Sequence, residues 1–282
     1  MGLTPSTFMD FDGTIVQGDV VEGTPFTGLD EILIGLGFSS CFPAGDFARF
    51  KHQYDTMYGA NSNQGLALGL TVFNGANVNE IEEAVLTQYK EVYSKFFWQK
   101  MVDLLNCLRS LGVKNYVVTA SPTIFIRAAK SFLSIDGVYG VDVEISNGAL
   151  TNKITAIPYN LGKRSAVESI LAKNKSLVPV LGAGNTINGD YPMLSLILGL
   201  GGSGIFVLDP PNYSMADEVL GLGLIPLLVE ALAPQPPFTP SPKCHCSCKP
   251  IRCSCDKPGF FSCDPIIPKD IYTVGEIAVR AI

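Results

Sequence analysis

The amino-acid sequence predicts an α/β protein with a Rossmann-like, mostly parallel sheet that is covered by helices on both faces. Short apolar segments alternate with segments of helical length, and this alternation is typical of parallel sheets. Of the 282 residues, 47% are hydrophobic and only 16% are charged, so a large buried core can form. Two regions depart from the pattern: a helix-rich insert after the first strand, and a Cys-rich C-terminal tail.

The predicted elements follow one another along the chain with short connections. The first strand is expected at 6–9, and helix-like segments at 46–58 and 78–95 lie within the insert. In the second of these, Ile81, Ala84 and Val85 share one helix face. The later elements are a helix at 96–111, a strand at 115–119, a helix at 123–133, strands at 140–145 and 150–154, a helix at 162–173, a strand at 177–181, a helix at 191–200, a strand at 205–208 and a last helix at 221–232.

Composition places the domain boundaries. Residues 233–242 include five prolines, which prevent a helix and favour a stiff spacer. We therefore expect four parts: a core formed by residues 1–16 and 96–232, an insert at 17–95, a Pro-rich linker at 233–242, and a Cys-rich tail at 243–282.

Charge and hydropathy exclude two classes of partner. The net charge is −6 and there is no long Lys/Arg run, so the sequence offers no electrostatic reason to expect nucleic-acid binding. The long apolar stretch at 191–208 is interrupted by glycines, and we interpret it as a helix, a turn and a buried strand rather than a membrane span. The N-terminus lacks the basic and apolar regions of a secretory signal, so we expect a cytoplasmic protein.

Two acids separated by one residue follow the first strand, in the segment Asp10-Phe11-Asp12-Gly13-Thr14. Carboxylates in such a turn can point into one pocket, where like charges are stabilised when they share a cation. Mg²⁺ suits this role, because it usually takes one or two protein carboxylates together with substrate phosphate. Gly13 permits a sharp turn and Thr14 offers a hydroxyl. The same residue types are also common in ordinary polar turns.

Three further landmarks follow in order, each at the end of a predicted strand or the start of a predicted helix. They are a hydroxyl after the strand at 115–119 (Thr119 or, alternatively, Ser121), a lysine at a helix start (Lys163, with Arg164 as a competitor), and the pair Asn185 and Asp190 after the strand at 177–181. With the Asp10 motif, this set resembles the haloacid dehalogenase (HAD) superfamily over residues 6–232, and in particular its phosphoserine-phosphatase-like branch.

The resemblance implies a phosphatase that acts on a small phosphorylated metabolite. Asp10 would attack phosphorus to form an aspartyl-phosphate, while Asp12 would protonate the leaving alcohol and then activate water. The remaining catalytic residues, Thr119 and Lys163, would stabilise charge on the transferred group. Contacts to the substrate are expected from Gly13, Thr14, Asp19 and Ser121. Dehalogenases of the superfamily lack an acid at the position of Asp12, which argues against dehalogenation.

The resemblance also implies a Mg²⁺ site, with ligands at Asp10, Asp12, Asn185 and Asp190. The family has an acid at the position of Asn185. An amide oxygen can bind Mg²⁺ but brings no negative charge, so we expect a weaker metal site. The alternative is a protein that keeps the fold, has lost catalysis and serves a binding role through its tail.

The insert at 17–95 matches the position of the helical cap in the phosphoserine-phosphatase-like branch. Such a cap closes over the site, excludes water and favours a small phosphomonoester. In that branch an acid shortly after the first motif helps to select the substrate, which here indicates Asp19 or Glu22. A substrate carboxylate could be bound by Arg49, Lys51 or His52, although such side chains are more often solvated.

The tail contains six cysteines and one histidine within 20 residues: Cys244, His245, Cys246, Cys248, Cys253, Cys255 and Cys263. Closely spaced thiolates can bind one soft ion, which predicts Zn²⁺ or Cu⁺ in the tail. The same spacing also permits disulfides. We favour metal binding because the sequence shows no secretory signal. The oligomeric state is not predicted.

Overall fold

The computed structural model describes residues 2–18, 29–44 and 46–230. Asp19 and Glu22, the Pro-rich linker and the Cys-rich tail with its predicted metal ligands lie outside the described residues. The domain boundaries predicted at 232 and 242 therefore stay predictions.

Seven strands form one sheet in the described part of the chain. They are β1 (Thr4–Met9), β2 (Lys114–Pro122), β3 (Gly137–Ser146), β4 (Ala149–Ala156), β5 (Leu177–Gly184), β6 (Ser203–Leu208) and β7 (Ile225–Leu228). The strand order is β4-β3-β2-β1-β5-β6-β7. Neighbouring strands pair in parallel, except that β3 and β4 form an antiparallel hairpin. The predicted mostly parallel sheet is confirmed.

Helices cover both faces of this sheet. They are α1 (Leu29–Gly35), α2 (Phe47–Ala60), α3 (Ser62–Thr71), α4 (Val78–Glu91), α5 (Gln99–Ser110), α6 (Thr123–Ile126), α7 (Leu161–Lys173), α8 (Ile187–Gly199) and α9 (Ala216–Gly221), with 3₁₀ turns at Tyr93–Phe96, Arg127–Ser131 and Pro210–Met215. Successive residues of β1 point to opposite faces: Phe8 packs among residues of α7 and α8, whereas Met9 belongs to the cluster that contains α5. This arrangement confirms the predicted covering of both faces.

Helices α1 to α4 lie between β1 and α5 in sequence and share one continuous apolar core with α5 and the sheet. Two of them, α2 and α4, were expected from the sequence. Helix α3 was not, because it has no charged residue and contains Gly65 and Gly69. Gly65 has a packing role: a Cβ atom there would lie 2.6 Å from Cβ of Tyr58, so α2 and α3 can approach closely only with glycine.

The predicted last helix at 221–232 is wrong. Helix α9 ends at Gly221, the chain turns at Gly223 with φ of +76°, and β7 then pairs with β6 at the edge of the sheet. The leucine-rich composition resembled a helix, but Pro226 disfavours a helix interior and is tolerated in an edge strand. The predicted helix at 123–133 is likewise shorter, with α6 followed by a 3₁₀ turn.

The apolar stretch at 191–208 forms most of α8, a glycine turn and β6, as predicted. None of the helices in the described ranges combines the length and the apolar character needed to cross a bilayer.

Candidate active site

The three strands that carry the predicted site residues are neighbours at the centre of the sheet. Strand β1 lies between β2 and β5, and all three run parallel. Their carboxyl ends therefore meet at one edge, which is where ligands bind in open α/β sheets. Asp10 and Asp12 follow β1, Thr119 and Ser121 lie near the end of β2, and Asn185 follows β5.

Lys163 is the centre of a buried charge cluster. Its Nζ lies 2.5 Å from Oδ1 of Asp10 and 2.5 Å from Oδ1 of Asp190. The exposed fractions are 3% for Lys163, 6% for Asp10 and 0% for Asp190. Arg164 points elsewhere and pairs with the exposed Glu168. The choice between Lys163 and Arg164 is thus decided in favour of Lys163 at this cluster.

One cation is shared by two buried carboxylates, and the pKa values reflect this imbalance. Burial and the charge of Asp190 raise the pKa of Asp10 to about 7, although Lys163 acts in the opposite direction. Burial opposes the charge on Lys163, but Asp10 and Asp190 outweigh it and raise the pKa of the lysine. Lys163 therefore stays charged, and the cluster carries an excess of negative charge once Asp10 ionises.

Asp190 organises the loop after β5. Its Oδ1 accepts from Lys163, and its Oδ2 accepts from the backbone N–H groups of Asn185 and Thr186 and from the Thr186 hydroxyl, at 2.9 to 3.0 Å. The carboxylate can come this close to β5 because residue 184 is glycine: a Cβ atom there would lie 2.5 Å from Cβ of Asp190. Asp190 thus fixes Asn185 and Lys163 at once.

Asp12 lies at the open side of the cluster and is exposed. Its Oδ2 accepts a hydrogen bond of 2.5 Å from the Ser121 hydroxyl, and the Thr119 hydroxyl lies 3.5 Å from the same oxygen. The Thr119 hydroxyl also accepts from the backbone N–H of Ser121. Both predicted hydroxyls are therefore at the site, with Thr119 buried and Ser121 partly exposed.

Asn185 lies directly over Gly13. A Cβ atom on Gly13 would be 1.9 Å from Nδ2 of Asn185, and Gly13 has φ of +75°, so both space and backbone conformation require glycine. The amide Oδ1 accepts from the hydroxyl of Thr14, which is fully buried. The structure thus brings Thr14 to Asn185, where it orients the amide oxygen.

The oxygen donors at this edge fit a Mg²⁺ ion only in part. No group of three or more His, Cys, Asp or Glu side chains within the described ranges is arranged to hold a metal. The available donors are the carboxylate of Asp10, the backbone carbonyl of Asp12 and the amide oxygen of Asn185, which are hard ligands of the kind that Mg²⁺ takes together with phosphate and water. Besides burial, which is the main cause, the charges of Asp190 and Asp12 raise the pKa of Asp10, and this negative charge gives a divalent cation a favourable place.

A cavity of about 790 Å³ opens from this cluster towards the helical insert. Asp10, Asp12, Thr119, Ser121 and Lys163 line its base. Its other walls are rich in aromatic side chains, which include Phe47, Phe50, Tyr54, Tyr58, Tyr89, Tyr93, Phe125 and Tyr159. The polar base and the aromatic walls enclose one continuous space.

The aromatic wall was not predicted from the sequence. Phe50, Tyr54 and Tyr58 recur every four residues, so they share one face of α2, and this spacing was a usable signal. The cations proposed for a substrate carboxylate are placed differently. Arg49 lies over the Phe42 ring and outside the cavity lining, His52 is exposed, and Lys51 lines the cavity but binds Asp55 at 2.8 Å.

Comparison with known proteins agrees with this arrangement. The family model described as haloacid dehalogenase-like hydrolase matches residues 7–195. The chain belongs to this family. The match contains every landmark from Asp10 to Asp190, so the predicted HAD membership is confirmed.

Relatives of the HAD chain are distant in sequence. A putative hydrolase of Mycobacterium leprae is 25% identical over 204 residues, which cover 69% of this chain and 65% of the relative. A phosphoserine phosphatase of Mycobacterium tuberculosis is 24% identical over 204 residues, which cover 69% of this chain and 63% of the relative. The chain thus spans somewhat less than two thirds of the length of these curated relatives.

Solved structures share the HAD fold. A protein of unknown function from Bordetella pertussis Tohama I superposes with a TM-score of 0.63 at 16% identity, covering 80% of this chain and 98% of that one. A probable phosphoserine phosphatase from Vibrio cholerae gives a TM-score of 0.53 at 17% identity, covering 79% and 60%. At these identities the likeness extends to the fold.

Proposed function

We propose that this HAD protein is a Mg²⁺-dependent phosphatase that hydrolyses a small phosphomonoester through an aspartyl-phosphate. The observation that carries the proposal is the placement of Asp10 at the base of the cavity. Its Oδ1 is bound by Lys163, and Asp12 lies beside it on the same turn. A nucleophile, a fixed cation and an exposed acid in one pocket are the groups that phosphoryl transfer to a carboxylate requires.

In the first step, the Oδ2 oxygen of Asp10, which Lys163 leaves available, attacks phosphorus. The bond from phosphorus to the ester oxygen breaks, and the carboxyl proton of Asp12 passes to that oxygen to release the alcohol. In the second step, Asp12 takes a proton from water, the water oxygen attacks phosphorus, and the bond to Asp10 breaks. Inorganic phosphate leaves and both aspartates return to their starting forms.

The neighbouring groups hold the phosphoryl oxygens and the catalytic acid. Lys163 neutralises negative charge on the transferred group, and Thr119 is placed to donate to a phosphoryl oxygen. Ser121 donates to Asp12 and thereby orients the acid. A Mg²⁺ ion held by Asp10, the backbone carbonyl of Asp12 and Asn185 would supply further neutralisation of phosphate charge. Asp190 contributes by fixing Lys163 and the Asn185 loop rather than by facing the cavity.

The insert at 17–95 serves in this proposal as a cap. Its helices α2 and α4 contribute five of the eight aromatic residues named in the cavity wall, so a bound phosphomonoester is enclosed on the side opposite Asp10. Enclosure excludes bulk water from the site and thereby strengthens the interactions of Lys163 with phosphate. The size of the cavity favours a small metabolite over a macromolecular substrate.

The proposal is tested with the purified chain, Mg²⁺ and a panel of phosphomonoesters that includes p-nitrophenyl phosphate. We expect phosphate release that stops on chelation and falls roughly 10³-fold or more in Asp10→Asn, because the nucleophile is lost. The exposed Asp217→Asn serves as the control and should retain full activity. Acid quenching after a single turnover with ³²P-labelled substrate should leave label on the wild-type chain alone. Hydrolysis that is absent, or unchanged in Asp10→Asn, would favour the alternative of a binding protein.

A further inference from the structure

One side chain that lines the cavity carries a buried hydroxyl without a hydrogen-bond partner in the described part of the chain. Tyr89 lines the cavity and is 0% exposed, and its Oη has no hydrogen-bond partner among the described residues. Buried hydroxyls are nearly always hydrogen-bonded, and an unpaired one is unfavourable. Burial and the nearby charge of Asp12 raise the pKa of Tyr89 well above its ordinary value, so the hydroxyl keeps its proton. The Tyr89 hydroxyl is thus an unpaired donor in the cavity wall, close enough to Asp12 to sense its charge.

The helical insert contributes mainly acidic charged side chains to the cavity lining. Asp30 and Glu31, at the start of α1, both line the space. Among the described residues of the insert, Lys51 is the cation that lines the cavity, and the Asp55 carboxylate binds it at 2.8 and 3.0 Å. The balance favours a positively charged group in the ligand and offers little to a carboxylate.

The aromatic wall has the same preference. Phe50, Tyr54 and Tyr58 form a continuous series along α2, with ring centroids 5.8 to 6.0 Å apart, and Tyr159 meets Tyr58 edge to face. Aromatic rings attract organic cations, and the attraction is strongest where water is excluded. Acids and aromatic rings together are the surroundings that recognise an ammonium or quaternary ammonium group.

From these three observations we infer that the substrate is the phosphomonoester of an amino alcohol without a carboxylate. Its ammonium group lies among Glu31, Asp30 and the α2 rings, and the Tyr89 hydroxyl donates to the substrate near the ester oxygen. The inference rests on the proposed function, because that function places the phosphoryl group at Asp10. It restricts the substrate to phosphomonoesters whose leaving alcohol carries a positive charge.

Matched substrates test the inference. Phosphocholine is compared with 3,3-dimethylbutyl phosphate, an isostere in which the alcohol part carries no charge. O-Phosphoethanolamine is compared with O-phosphoserine, which adds only a carboxylate. We expect kcat/KM to favour the first member of each pair by at least about tenfold, since loss of one cation–π or charge contact is of this order. In Glu31→Gln the preference for phosphocholine over its isostere should fall severalfold. The exposed Glu83→Gln, outside the cavity, is the matched control and should keep the wild-type ratio.

The Tyr89 contact has its own readout. Tyr89→Phe should raise KM for phosphocholine severalfold while the midpoint of urea unfolding stays equal or increases, because the variant removes an unpaired buried hydroxyl. A purely structural tyrosine would lower stability and leave KM unchanged. Tyr116→Phe, on the opposite face of the sheet, is the control and should change neither quantity.

Failure of the inference can be told apart from failure of the proposed function. Equal rates within both pairs, or preference for O-phosphoserine or a nucleoside monophosphate, would overturn the inference while Asp10-dependent hydrolysis of p-nitrophenyl phosphate upholds the function. If no ester is hydrolysed, the function fails. Calorimetry of Asp10→Asn with phosphocholine and its isostere then decides the inference separately: tighter binding of phosphocholine supports it, and equal binding contradicts it.

Discussion

The base of the cavity and its cap end differ in charge, in burial and in the type of contact that holds their side chains. At the base, the side chains of Lys163, Asp10 and Asp190 are ionisable and buried, and contacts of 2.5 Å hold them together. Asp10 directly follows a core strand, and the other two residues lie on core helices. At the cap end, Tyr54 and Tyr58 are partly exposed, lie on one helix and interact through ring contacts. The difference suggests a division of labour: the base binds the phosphoryl group common to all phosphomonoesters, and the cap end distinguishes the alcohols.

The strongest test of this comparison is Lys163→Met. The variant leaves Asp10 and Asp190 buried with no cation between them, so we expect a loss of about 3–5 kcal/mol in the free energy of unfolding, together with loss of activity. Urea denaturation measures the first quantity. The neighbouring Arg164→Met removes an exposed ion pair and should cost under about 1 kcal/mol. Adding Asp190→Asn to Lys163→Met should recover part of the stability; an unaltered Lys163→Met would contradict the shared-cation account.

A smaller effect concerns the pH dependence of stability without divalent metal. The pKa of Asp10 is about 7 in the folded protein against 3.8 ordinarily, so the folded state holds this proton more tightly than the unfolded one. The resulting stabilisation is complete below pH 3.8 and is lost as the pH rises through about 7.

Asp10→Asn removes that titration. We expect the variant to be more stable than the wild type at pH 8 without metal, by an amount on the order of a few kcal/mol, and to show little advantage at pH 4. Thermal unfolding across this pH range measures the difference. Asp217→Asn should follow the wild-type profile. A constant difference between Asp10→Asn and the wild type at all pH values would show that Asp10 does not titrate in this range.

Metal affinity at the base should respond to Asn185→Asp. The change adds a negative charge next to Asp10 and Asp12, so the Mg²⁺ concentration for half-maximal activity should fall by about tenfold, which corresponds to ~1.4 kcal/mol. Thermal shift with and without Mg²⁺ gives a second readout, since the added charge should also lower stability in metal-free buffer. Asn188→Asp, at an exposed residue three positions further along in α8, is the matched control. An unchanged Mg²⁺ requirement would remove Asn185 from the metal site.

At the cap end we expect the mildest change. Tyr58→Phe deletes the hydrogen bond of 3.2 Å between the hydroxyls of Tyr58 and Tyr159, at a cost of about 0.5–1.5 kcal/mol. Burial raises the pKa of Tyr58 to about 12, so its absorbance titration should lie above that of ordinary tyrosines. A double-mutant cycle with Tyr159→Phe measures the coupling, and additive effects would indicate that the two hydroxyls do not interact.

The sequence predicted the base of the cavity better than its cap end. Asp10 and Lys163 could be identified because an ordered set of landmarks at strand ends fixes their position in the sheet. Whether Lys163 or Arg164 faces Asp10 depended on rotation about α7, which two adjacent residues do not reveal. The same limit applies to the four-residue spacing on α2, since an aromatic helix face packs equally well against a core or a cavity. Strand β7 was not predicted, because its pairing with β6 at the sheet edge depends on tertiary contacts that the local sequence does not reveal.

The contact between Asn185 and Gly13 bears on which residue position 185 can hold. Asparagine and aspartate have nearly the same shape, so an acid at position 185 would occupy the space over Gly13 without moving the turn. Because a single base change converts an asparagine codon to an aspartate codon, the departure from the family pattern is reversible in one step. The turn at Gly13 therefore accommodates either side chain, and the exchange alters the charge of the site while its shape stays the same.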